Sequence, residues 1–400
     1  MHETLSRHVN FSDIYHKLLI TSNVLESQWA WILIGTLLIL FFIQLYYYLG
    51  IYGGLPRFRN NRGISPDTVP PPVSIVVVVR ENAYYFIENT LPLLLAQQYH
   101  QFEVVVVDCS YDDEISLQLN EMAMQYPHLK LTRINPQPNY EHSNKLALTV
   151  GIKAATYEHL LFTTIDCYPT SQRWLSIMAK GFICGDVVIG YCNLEIKKGF
   201  ANRFIRCNRL ATSIRYLAAA IRGHVYRGIR HNIGFTKSLY FSHRGYNYLN
   251  MNIGEDDLFI QSIVTRRNVS VIMNPHATIR ETQYGGLKWW RSIRKIQTCA
   301  FRYYPLQIRF QTAFELWTRA LLFIAAIVAL VVLPLWWKLL PALVLLLRLL
   351  IVEIKIWRIG RRLGERKMAG TYILYDLVAP LSELCLALSR RLRPNKAIWR

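Results

Sequence analysis

The acidic residues of this chain stand where ligand chemistry is done. In LLFTTIDCYPTSQRW, Leu160–Trp174, an apolar run gives way to Asp166 just ahead of a proline. An acid at the end of a buried strand faces the crevice where α/β sheets take ligands. Two other apolar runs end in the same way. Val73–Val79 leads into Arg80-Glu81-Asn82, and Glu103–Val107 leads into Asp108. In GEDDLF, Glu255, Asp256 and Asp257 stand together at a helix start, after a stretch from Ile196 to Gly254 that holds no acid. The helix dipole favours acids there, but three exceed what capping needs. Asp166 has the look of a metal ligand whose partner, two residues back, has become Thr164. Magnesium needs only one or two protein carboxylates, with substrate phosphates and water as its other ligands, so one carboxylate suffices. His276, in NPHATIR after a late strand, adds a ligand or is an ordinary strand-end histidine.

The elements that position these groups follow from periodicity. Strands are expected at Val73–Val79, Glu103–Val107, Lys130–Ile134 and His159–Thr163, with helices at Tyr84–Gln97, Glu114–Gln125 and Ser143–Ala155 between them. Strand–helix alternation means an α/β fold with a mainly parallel sheet and ligands at the strands' carboxyl ends.

The 400 residues are 52% hydrophobic and carry a formal charge of +20. That pairing fits a membrane protein with basic cytoplasmic surfaces; long apolar runs and the lack of a recognition motif exclude a nucleic-acid binder. The 7 cysteines are scattered with no CxxC pair, so spacing indicates neither a disulfide framework nor a zinc site, and a reducing compartment is expected. The expected organisation is an N-terminal segment at 1–28, a membrane anchor at 29–52, a linker at 53–72 that ends in SPDTVPPP, a cytoplasmic domain at 73–310 and a membrane region at 311–400. Ala320–Trp337 and Leu339–Trp357 read as spans, and Tyr372–Leu388, with Asp376, Pro380 and Glu383, as an interfacial or re-entrant helix. Arg348 lies inside the second of those spans and is expected to snorkel or to pair with a carboxylate such as Glu353. Basic residues after the anchor and after Trp357 place both ends of the domain on the cytoplasmic side. Ala201–Arg222 is amphipathic and basic, and is expected to meet anionic lipid headgroups or a phosphorylated acceptor.

The segments VSIVVVVREN, FEVVVVDCSYDD, NKLALTVGIKAA, LLFTTIDCYPTSQRW, NIGEDDLF and GGLKWWRSIRK occur in the order and spacing of membrane-bound family 2 glycosyltransferases. The resemblance covers about Val73 to Lys295 and the flanking spans. It implies a glycosyltransferase A fold, which is a Rossmann-like mixed sheet with flanking helices, here with N- and C-terminal transmembrane helices. It also implies a nucleotide-sugar donor (a UDP-sugar first of all), a divalent metal (Mg or Mn), and inversion by direct displacement. The acceptor would be lipid-linked or a cell-envelope glycan, reached at the cytoplasmic face of a bacterial inner membrane among its lipids. Charge on the leaving diphosphate must be offset, and the acceptor hydroxyl needs a base within reach.

By resemblance Asp166 is the second acid of an Asp-x-Asp metal motif, and Asp256 is the general base with Glu255 positioning the acceptor. Crowding of like charges there would raise a carboxylate pKa. Asp108, followed by Cys109 where a second acid is common, resembles a uracil or ribose ligand; an Asx turn is the other reading. Glu81 stands at the neighbouring strand end. Lys145 serves the donor or is a solvated helix start. Arg291 and Arg294 occupy the place of a Gln-x-x-Arg-Trp box of which only Arg294 survives; they clamp the diphosphate or face lipid. Loss of the box tryptophan argues for transfer of a single sugar. His231 and Asn232 would line the acceptor pocket. The same departures at Thr164, Cys109 and the Arg-Ser-Ile-Arg-Lys box leave a second reading, a catalytically inactive scaffold in a glycan-assembly complex.

A single metal carboxylate predicts a higher metal requirement than in relatives with both acids. Thr164→Asp is expected to lower the Mn2+ concentration for half-maximal transfer, read from a metal titration; an unchanged or raised value would place the metal elsewhere.

Overall fold

The computed structural model describes residues 11–59, 68–80, 82–110, 112–134, 144–246, 255–297, 301, 303–335 and 337–392. Its main sheet has seven strands in the order β3-β2-β1-β4-β8-β6-β9. These are β1 (Val73–Val79), β2 (Phe102–Asp108), β3 (Leu129–Arg133), β4 (His159–Phe162), β6 (Val187–Ile189), β8 (Ile233–Thr236) and β9 (Val269–Val271). The valine runs of β1 and β2 are buried on both faces, as parallel strands under helices require. They pair in parallel from Val73↔Phe102 to Val79↔Asp108, and β4 joins β1 on its other side from Val73↔His159 to Val76↔Phe162. The chain thus steps outward through β2 and β3 and returns across β1 to β4. The crevice between β1 and β4 is where such a sheet takes ligands. β8 then runs antiparallel to both β4 and β6, so the sheet is mixed.

The helix Asn144–Ala154 lies close on this sheet because position 151 is glycine: a Cβ there would stand 2.7 Å from Val76 and 2.8 Å from Val107. A second sheet of β5 (Cys167–Pro169), β10 (Ile279–Glu281) and β7 (Cys192–Leu194) has β10 between its neighbours.

The basic helix Phe200–Ile221 corrects the expectation of a lipid-facing surface. Three of its four arginines turn inward to acids from distant parts of the chain. Arg206 pairs with Glu365, Arg209 with Glu281 and Arg215 with Glu315, and Arg206 and Glu365 are fully buried. Buried charge is tolerated only when paired in this way.

Among the described residues, three helical segments are long and apolar enough to cross a membrane: Gln28–Arg57, Leu306–Val332 and Thr371–Leu388. By length and composition Thr371–Leu388 thus joins the candidates. The helix Leu339–Arg362 falls out because Arg348, Glu353 and Lys355 crowd it with charge. Arg348 pairs with Asp376 of the following helix rather than Glu353, and Asp376 also takes Arg319 at 3.0 Å. Gln44 closes the network: it accepts from Arg348 at 3.2 Å and donates to Thr318 at 3.0 Å. These groups satisfy one another among apolar helices, where an isolated charge is costly.

Glu365 is the hub at the junction. Besides Arg206 it accepts from Arg280 at 2.5 Å and from Tyr191 and Asn193 at 3.0 Å each. Glu365→Ala leaves two buried guanidinium groups without their carboxylate and is expected to cost about 3–5 kcal/mol. Unfolding of the full chain in detergent measures it; a loss under about 1 kcal/mol, the size of a surface pair, would refute the hub.

Candidate functional site

Asp166 lies in the turn after β4, half-buried. Its Oδ1 accepts from the Thr164 hydroxyl at 2.8 Å, and its backbone carbonyl accepts from Thr282 N at 2.9 Å. Thr164 thus orients the Asp166 carboxylate. An oxygen donor at a strand end in the β1–β4 crevice fits a hard divalent ion.

Asp108 ends β2 fully buried, and its oxygens are occupied. Oδ1 accepts from the backbone N of Ser110 at 2.9 Å and its hydroxyl at 2.6 Å; Oδ2 accepts from Ser116. This is the Asx turn that the sequence left open. Asn232 is buried and spends both its N–H donors within the chain: it donates to the carbonyls of Tyr191 and Ala277 at 2.8 and 2.9 Å, and its Oδ1 accepts from Trp174 at 3.0 Å. It braces the two sheets. Lys145 sits in the first turn of Asn144–Ala154, half-buried. Glu81 falls outside the described residues, as does the side chain of Glu255.

The two aspartates of GEDDLF open the helix Glu255–Ile263 and are held by arginines three residues apart. Arg230 donates to Asp256 Oδ1 through Nε at 3.0 Å and Nη2 at 2.8 Å. Asp257 is buried; it accepts from Tyr304 and lies 3.6 Å from Arg227. The carboxyl whose pKa is pushed up is Asp257, by burial first and by Asp256 beside it, against Arg227 and Tyr304. Arg227 and Tyr304 also line a cavity of about 510 Å³ between the sheet domain and the apolar helices, whose wall includes Arg215, Trp317 and Leu381. It shares Thr212, Arg227 and Arg294 with a small cavity that reaches His231 and Cys192.

The arginines proposed as a clamp are separated. Arg291 is exposed, whereas Arg294 is buried, pairs with Glu383 at 2.5 Å and lines the large cavity. His276 is exposed beside Arg173, 3.3 Å away. Among the described residues the group able to hold a metal through three or more side chains is Cys167, Cys192, His231 and Glu281, which includes neither Asp166 nor His276. Sequence reading missed this group, Arg209, Arg227, Arg230 and Tyr304. The one signal for the arginines was the acid-free stretch itself, whose charges needed partners from outside.

The raised carboxyl gives a pH prediction. Stability that Asp257 contributes is fully present below its ordinary value of 3.8 and is lost as pH rises through the raised one. Asp257→Asn is therefore expected to gain in Tm relative to wild type as pH rises through the acid range. A difference independent of pH would refute it.

No family model and no curated protein matches the chain. Solved structures do. The mannosyltransferase PcManGT from Pyrobaculum calidifontis, in complex with GDP-Man and Mn2+, is 19% identical over 87% of this chain and 99% of that one, with a TM-score of 0.54. TarS 1-349 of S. aureus is 16% identical over 80% of this chain and 91% of that one, with a TM-score of 0.41. The chain shares its fold, glycosyltransferase A-like, with the mannosyltransferase.

Proposed function

We propose that the chain is an inverting, non-processive family 2 glycosyltransferase. It moves one sugar from a nucleotide-sugar donor, a UDP-sugar first, to a lipid-linked or cell-envelope glycan acceptor. It works with Mg or Mn at the cytoplasmic face of a bacterial inner membrane. One observation carries the reading: Asp257, the chain neighbour of Asp256, is bonded to Tyr304 and paired with Arg227, and those two residues line a cavity bounded by apolar helices. The mannosyltransferase of like fold holds GDP-Man and Mn2+, which supports a nucleotide-sugar donor and a divalent ion here. A cavity apolar on the helix side and polar on the sheet side suits an acceptor with a lipid tail.

In this reading Asp256 takes the acceptor hydroxyl's proton as that oxygen bonds to the anomeric carbon. The bond from carbon to diphosphate oxygen breaks, and the electron pair leaves with the nucleoside diphosphate. Asp166 would hold the divalent ion, which when bound would supply charge stabilisation for that leaving group. Arg230 fixes the Asp256 carboxylate through two N–H donors, and Asp257, tied to Tyr304 and Arg227, anchors the helix start beneath it. Asp108 supports the nucleoside end by ordering the DCS turn around it, Lys145 lies on the helix that follows β3, and Arg294 faces the acceptor cavity.

Release of nucleoside diphosphate from a panel of nucleotide sugars tests this with the purified full chain. Asp256→Asn is expected to lower kcat at least about 100-fold, the lower end of what a general base contributes, with donor Kd unchanged. Equal rates would sink the base assignment. Donor binding without turnover in the wild type would favour the inactive scaffold.

A further inference from the structure

Four segments remote in sequence bring their donors to one point. Cys167 opens β5, Cys192 opens β7, Glu281 ends β10, and His231 lies in the turn Arg230–Asn232. Because β10 runs between β5 and β7, Glu281 pairs with Cys167 and Ile279 with Cys192. The Sγ, Sγ, Nδ1 and carboxylate atoms all lie within 4.8 Å of one another. His231 Nδ1 faces both Glu281, at 3.3 Å, and Cys192 Sγ, at 3.7 Å. Two thiols, an imidazole and a carboxylate make a complete tetrahedral set.

We propose that Cys167, Cys192, His231 and Glu281 bind a zinc ion. The proposal is separate from the hard-ion position at Asp166 and does not rest on the glycosyl-transfer reading. Thiolate donors select zinc over magnesium or manganese, which prefer oxygen. Charge also closes. Two thiolates and a carboxylate against a divalent ion leave one negative charge, and Arg209 cancels it by pairing with both oxygens of Glu281, at 2.9 Å for Nη2–Oε1. Metal-binding carboxylates are themselves commonly hydrogen-bonded in this way. A neutral centre is what a buried site demands. With four protein ligands the shell is closed, so the ion is structural. Its effect on the site is through the chain: Cys167 follows Asp166, and His231 follows Arg230, so one ion would fix both neighbours.

The test uses the full chain in detergent and reads metal rather than turnover, so its failure is distinct from failure of the proposed activity. Elemental analysis after removal of loose metal is expected to find about one zinc per chain, as a four-ligand site holds. Cobalt substitution should give a thiolate-to-cobalt charge-transfer band. Cys167→Ser and Cys192→Ser each should lose the band, and Arg209→Gln should weaken zinc binding about 10- to 100-fold. Asp166→Asn should keep both zinc and band. A wild-type chain with neither zinc nor band overturns the proposal without recourse to any variant. So does a band that survives both cysteine substitutions or vanishes with Asp166→Asn.

Discussion

Pairing of the acid-free basic stretch with acids elsewhere is the constraint on which the structure depends. Eleven lysines and arginines lie between Ile196 and Gly254 without one acid among them. Among the described residues, five of the arginines find carboxylates outside the stretch: Arg206 with Glu365, Arg209 with Glu281, Arg215 with Glu315, Arg227 with Asp257 and Arg230 with Asp256. Such charges cannot be left unmatched in an interior. Each pair therefore fixes a long-range contact: to the loop after Leu339–Arg362, to the second sheet, to the Leu306–Val332 helix, and to the start of Glu255–Ile263. Hydrophobic burial alone would let these layers slide; the pairs set their register.

The same constraint decides what the acids of GEDDLF can do. Two adjacent aspartates at a helix start repel each other, yet one is half-exposed and the other buried. Arg230 and Arg227 draw them in different directions, and Tyr304 completes the buried one. Asp256 is left the more exposed of the two, as the proposed role of base requires. Asp257 supplies rigidity. Division of labour between neighbouring carboxylates by environment is how one site keeps a base and a brace.

What the sequence made legible was set by length and period. The valine runs of β1 and β2 and the helices at 113–125 and 144–154 are long enough to carry a signal, and their observed bounds differ from the expected ones by at most one residue at either end. The strands β5, β7 and β10 have three residues each, too short for any period, so the sheet that gathers Cys167, Cys192 and Glu281 was invisible. Asp166 was legible because it follows a strand. That Asp108 and Asn232 are consumed internally was not, since a polar residue at a strand end looks the same whether it faces a ligand or its own turn. The direction of Arg206 and Arg209 was misread for a related reason. A basic amphipathic helix resembles a membrane-surface helix until its acids, 72 and more residues away, are known.

Fold likeness does not carry chemistry by itself, and the stretch TTIDCYP shows why the side chains must be read singly. Asp166 and Cys167 are consecutive, yet one is a half-buried oxygen donor and the other a fully buried thiol. Asp166 lies in the turn and Cys167 opens β5, so the two enter different environments with different ion preferences. Thr164 bonds to Asp166 and holds it toward the crevice, while Cys167 is paired through β10 to the sheet beneath. Under the two proposals a hard ion at Asp166 and a zinc ion at Cys167 would need different ligand sets, and the single peptide unit between these residues would let the second fix the position of the first.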